Sequence, residues 1–115
     1  MGEQLACQFL ERKGFAILHR NWRNGHDELD IVARDGRFLV VVEVKTRSTD
    51  RFGHPEEAVG PAKARKLLRA ADAFIATTGT DLELRFDVVS VTLGRTEPEL
   101  LHIPDAFYPT LDEHR

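Results

Sequence analysis

The sequence has a single cysteine, Cys7, together with one tryptophan, one tyrosine and one methionine. One thiol excludes an internal disulfide and any zinc site built on paired thiolates, and it suits a reducing compartment. Long hydrophobic runs are missing as well, since nothing approaches the ~20 apolar residues that a helical membrane span needs. The opening stretch MGEQLACQFLERKG carries acids and no basic segment ahead of an apolar run, so it does not read as a secretory signal. Its sixth position is Ala6 rather than the Ser or Thr of a myristoylation signal. These absences set the expectation of a soluble, cytoplasmic protein without a membrane partner. Excess positive charge is lacking too: 16 Lys and Arg stand against 19 Asp and Glu, for a net charge of −3. Any binding to nucleic acid would therefore have to come from a local basic surface rather than from bulk charge.

What is present is an ordinary globular composition, 42% hydrophobic and 30% charged over 115 residues. That length supports one domain, 1–115, able to bury roughly two thirds of its unfolded surface. Residues 2–13 carry Leu5, Ala6, Phe9 and Leu10 at helical spacing, and Gly14 stops them. Residues 15–23 read as a strand, followed by an Asn24-Gly25 turn. A second strand over 27–34 leads into Asp35-Gly36, a strong hairpin signal. The third strand, RFLVVVEVKTR, is so rich in β-branched residues that a central, doubly buried position is expected. After a polar loop at 48–54 and a helical turn over 55–59, Pro61 opens a helix that Gly79 closes. Leu67, Leu68, Ala71, Phe74 and Ile75 form its apolar stripe. A fourth strand covers 82–93, LLHIP forms a short fifth, and the tail 109–115 is expected to fray. The order α-β-β-β-α-β(-β) predicts an α/β (α+β) domain: an antiparallel meander, then a helical crossover that returns a parallel strand to the same sheet.

One stretch resists this description. In ELDIVARDGRFLVVVEVKTR, Glu28, Asp30 and Glu43 interrupt two otherwise hydrophobic strands. A two-residue turn centred on Asp35-Gly36 puts Asp30 opposite Val41, Glu28 opposite Glu43 and His26 opposite Lys45. Directly opposed residues share a face, and alternation then gathers Glu28, Asp30, Glu43 and Lys45 on one side of the sheet. Phe38, Val40, Val42 and Val44 point to the other, under a helix. Like charges across a sheet are destabilising, and carboxylates on a buried strand cost desolvation unless compensated. Lys45 supplies one compensating charge. A divalent cation would supply the rest, because clustered carboxylates with water are what Mg²⁺ accepts. The plainer reading is a solvated face of mixed charges with nearby arginines as partners.

The spacing of Asp30 and Glu43-Val44-Lys45 resembles the PD-(D/E)XK nuclease signature. More of the chain is similar to the bacterial YraN family, which itself resembles Holliday-junction resolvases. GEQLACQFLERKGFAILHRNWR, DELDIVARDG, FLVVVEVKTR, PAKARKLL and RFDVVSV carry that likeness across nearly the whole chain. The resemblance implies a restriction-endonuclease-like, three-layer α/β/α fold with a central mixed sheet and a Mg²⁺- or Mn²⁺-dependent site hydrolysing DNA phosphodiesters. Asp30 and Glu43 would be metal ligands and Lys45 would orient or activate the attacking water. Glu3 matches the family's GE and would complete the metal shell, and Lys63 matches the lysine opening the family's second helix. Where the family often has Gly, this chain has Asp27. Branched or structured DNA is the implied substrate, and a homodimer would supply the two cuts a junction needs. The alternative is a non-catalytic module that keeps the fold and binds nucleic acid or protein.

Other residues have plainer readings beside the functional ones. Glu3 can be an acid favoured by the helix N-terminus, and Glu28 can pair with a basic neighbour or hold metal directly or through water. Lys63 can contact phosphate or simply snorkel. Arg20, Arg23, Arg47 and Arg51 flank the strand ends and would make a local basic rim. Trp22 and Phe52 can stack on bases, though buried aromatics are commoner. Cys7 reads as a small buried hydrophobe, and Asp87 as a structural partner of Arg85.

Overall fold

The computed structural model describes residues 1–48, 59–94 and 96–107 of the chain. The elements are α1 (Gly2–Arg12), β1 (Ala16–Asn24), β2 (Asp27–Asp35), β3 (Phe38–Ser48), α2 (Pro61–Thr78), β4 (Glu83–Leu93) and β5 (Glu99–Ile103). The five strands form one sheet in sequence order, β1-β2-β3-β4-β5. All neighbours run antiparallel except β3 and β4, which are parallel because α2 carries the chain back across the sheet. β3 is thus the middle strand, and its run from Leu39 to Val42 is buried on both faces. The polar loop at 48–54 and the turn at 55–59 lie, apart from Ser48 and Val59, outside the described residues, as does the 109–115 tail. Among the described residues no helix is long and apolar enough to cross a membrane.

Two cores flank the sheet. On one side Ala6, Cys7 and Leu10 of α1 pack with Phe15, Ile31, Ala33, Val40, Val42, Val89 and Val91. On the other, Leu67, Ala70, Ala71 and Phe74 of α2 pack with Leu29, Val32, Leu39, Val41 and Phe86. Trp22 meets Phe74 edge-on at 5.3 Å, so it is a core aromatic rather than an open stacking platform.

The hairpin register differs from the sequence expectation by two residues. Asp35 pairs with Phe38 and Ile31 with Val42, so the central turn residues are Gly36 and Arg37. Gly36 takes φ +61° at the first central position, which is the glycine place of a type II′ turn. Centring on Asp35-Gly36 would instead have forced Asp35 into the left-handed region. Because the slip is two and not one, every residue of β3 keeps its predicted face.

Beneath the α1 side lies a buried polar knot. Asp87, fully buried, accepts two hydrogen bonds from Arg85, each 2.9 Å, one from the Asp105 amide at 2.9 Å, and contacts His102 Nε2 at 2.8 Å. Lys13 Nζ reaches His102 Nδ1. An ammonium can only donate, so Nδ1 must accept and Nε2 carries the hydrogen given to Asp87. Burial alone would raise the Asp87 carboxyl, but hydrogen bonds from His102, Arg85 and the Asp105 amide outweigh it and hold it below its ordinary value.

Candidate functional site: a carboxylate pair at the fork of the sheet

The β2–β3 ladder stops at Ile31 and Val42. Beyond that point the Val44 N–H is taken by Asp30, whose Oδ2 accepts it at 3.0 Å. A side chain thus replaces a strand carbonyl, and the two strands part into a fork. Strand alternation also breaks there. Leu29 packs in the α2 core whereas Ile31, two residues on, packs in the α1 core. Across the ladder from Asp30, between the pairs Arg20–Ile31 and Trp22–Leu29, stands Asn21 with φ +53°. Asparagine is among the few side chains that accept this conformation, and the residue reverses the face of the strand.

Glu43 and Lys45 project to the α2 side of β3, opposite to Val44. Lys63, in the first turn of α2, puts Nζ 3.4 Å from Glu43 Oε2. The other oxygen, Glu43 Oε1, is buried and has no hydrogen-bonding partner among the described residues. Burial raises the Glu43 carboxyl above its ordinary value and the charge of Asp30 raises it further, against the opposing effect of Lys63 and Lys45. Burial likewise raises Asp30, with Glu28 adding to it, while the Val44 amide, Lys63 and Glu43 oppose the rise.

From the α1 side, Glu3 faces the same cluster. Its carboxyl is raised by burial and then by Asp30, is opposed by a hydrogen bond with Asn21, and is raised again by Glu28. Glu28 does not stand opposite Glu43, as the sequence register had it. Its neighbour Asp27 turns to α2, where Arg69 holds it through bonds of 2.7 and 2.9 Å, so Glu28 is turned toward α1. There it pairs with Arg23 at 3.7 Å. The two-residue slip of the hairpin removes the opposition, and the broken alternation at Asp30 turns Glu28 to the other face.

Asp30, Glu43, Lys45 and Lys63 therefore come together, with Glu3 and Glu28 at the border. Arg23 is engaged with Glu28, Arg47 lies partly buried near the end of β3 with interactions of its own, and Arg51 falls outside the described residues. Asn21 and the Asp27–Arg69 clamp were missed from sequence. Asn21 had a signal, a left-handed-tolerant residue inside a strand, but it could be weighed only with the pairing known. Among the described residues no three His, Cys, Asp or Glu side chains form a ready-made metal shell. Two facing carboxyls with one orphaned oxygen nevertheless fit a hard divalent ion, because Mg²⁺ keeps several waters and takes one or two protein carboxylates.

A five-stranded mixed sheet between two helical layers is the three-layer α/β/α architecture of a restriction-endonuclease-like fold. Within that class the chain belongs to UPF0102, the YraN-type family described as "Uncharacterised protein family UPF0102", whose model matches residues 2–91. It is 48% identical over 110 residues to a UPF0102 protein of Bacteroides thetaiotaomicron, covering 96% of this chain and 91% of that one. It is 50% identical over 107 residues to a UPF0102 protein of Syntrophotalea carbinolica, covering 92% and 87%. A UPF0102 protein of Mycolicibacterium vanbaalenii is 49% identical over 105 residues, covering 90% and 87%.

Proposed function

We propose that this protein is a Mg²⁺- or Mn²⁺-dependent nuclease that hydrolyses DNA phosphodiester bonds, with branched or structured DNA as its substrate class. The observation that carries the reading is the half-buried Asp30–Glu43 pair, with its orphaned Oε1 and with two lysines beside it. A purely structural protein gains nothing from two carboxyls pressed together on adjacent hydrophobic strands, since the arrangement costs stability at neutral pH. Asp30 and Glu43 would hold the ion, and Glu3 adds charge from the α1 side. The ion supplies charge neutralisation at phosphorus and a more acidic water. Lys45, on the same face as Glu43, would orient that water and offset charge on the phosphate. Two copies related by a twofold axis would present two such sites to a junction.

A second reading, a non-catalytic binding module, is favoured by the net charge of −3. The two part in a cleavage assay on single-stranded, duplex and four-way-junction DNA with Mg²⁺ or Mn²⁺. Hydrolysis lost in both Lys45→Ala and Glu43→Gln supports the nuclease. Hydrolysis that survives both substitutions, or none by the wild type on any substrate while binding persists, refutes it.

A further inference from the structure

Lys63 occupies a place where a lysine is poorly suited on its own helix. It is the third residue of α2, at the positive end of the helix dipole, and that first turn contains no acid. Its partner is instead on a strand: Glu43, whose side chain is 12% exposed against 51% for Lys63. The ammonium touches Oε2 alone and leaves Oε1 bare. The arrangement neutralises the carboxylates incompletely and from the solvent side.

We propose that Lys63 is the built-in counter-ion of the carboxylate pair, displaced from Glu43 when a divalent cation binds. The proposal rests on the metal-dependent reading above and adds how the site is kept between turnovers. Without metal, Lys63 offsets part of the charge of the Asp30–Glu43 pair. A divalent ion at the same oxygens would bring two positive charges beside the ammonium, and the half-exposed side chain is free to swing outward. Released there, Lys63 stands at the mouth of the site, where a phosphate oxygen is the natural partner for an ammonium. Cation binding thereby creates a phosphate contact absent from the metal-free protein, which couples the two ligands.

The test is calorimetric titration of Mn²⁺ into the full chain without nucleic acid, comparing wild type with Lys63→Met and Lys63→Gln. Removing a competitor should tighten Mn²⁺ binding roughly two- to fivefold, the range of a partly exposed ion pair. Mn²⁺ should also tighten the binding of a non-cleavable phosphorothioate duplex by wild type, and do so less for either variant. Equal or weaker Mn²⁺ binding by both variants overturns the counter-ion role and leaves the metal site standing. Absence of Mn²⁺ binding in wild type and variants alike removes the metal site itself, and the displacement with it.

Discussion

Replacing Gly2 by alanine places a methyl group where Thr46 already stands. Gly2 begins α1, and a Cβ built on it overlaps Thr46 Oγ1 while standing 3.4 Å from Thr46 Cβ and 3.6 Å from Cγ2. Thr46 follows Lys45 on β3, so this contact seats the helix carrying Glu3 against the strand carrying Glu43. The overlap lies with one atom, the hydroxyl oxygen. Overpacking of this kind costs about 1–3 kcal/mol, partly offset by the better helix propensity of alanine, worth at most ~1 kcal/mol. Truncating Thr46 to alanine removes the clashing atom and leaves only the 3.4 Å contact, which is ordinary van der Waals distance. A double-mutant cycle of Gly2→Ala and Thr46→Ala in urea denaturation cancels the propensity terms of both residues. Its coupling should be about 1–3 kcal/mol, with Gly2→Ala harmful when Thr46 is present and harmless in the Thr46→Ala background. Coupling indistinguishable from zero would show that Thr46 turns aside freely and that Gly2 does not set the seat of α1.

Asp87→Ala strips Arg85 and His102 of their buried partner and should cost about 3–5 kcal/mol, read as a lowered urea midpoint. Because the Asp87 carboxyl is held below its ordinary value, its contribution is fully present above the unfolded value. It is lost as the pH falls through the folded one, so wild type should lose stability in acid more steeply than the variant. Asp30 and Glu43 have the opposite sign. Their raised carboxyls favour the protonated state, a contribution present at low pH and lost as the pH rises through the folded values. Asp30→Asn and Glu43→Gln should therefore each stabilise the metal-free protein at neutral pH, with the gain closing as the pH falls to the ordinary carboxylate range. Equal stability at neutral pH would refute the cost of burying these two carboxyls in charged form. Arg69→Ala releases Asp27, whose carboxyl the Arg69 hydrogen bond holds low, and carboxyl NMR should follow its titration upward.

Most of the architecture was legible because it rests on local rules that tertiary packing did not override. The element order, the central place of β3 and the parallel return of β4 came from hydrophobic period and punctuation. Both errors concern glycine-like backbone freedom. At Asp35-Gly36 the motif identified a turn but not which residue would take positive φ, and the register moved by two. At Asn21 a non-glycine residue took that conformation in mid-strand and turned Glu28 away from Glu43. Neither is visible in a pattern of alternation, because alternation presumes an unbroken pleat. Glu43 and Lys45 keep their shared face because β3 stays regular, whereas Asp30 reaches Glu43 from the break itself.

The switch of face at Asp30 also gives the site a mechanical address. Elsewhere the sheet separates the α1 core from the α2 core, and each layer packs on its own side. At the fork, Glu3 arrives from one layer and Lys63 from the other toward the same pair of carboxyls. The spacing of charges there is therefore a measure of how the two helices sit relative to each other. A change in either core that tilts its helix, though remote from the fork, retunes the site without touching any of its residues.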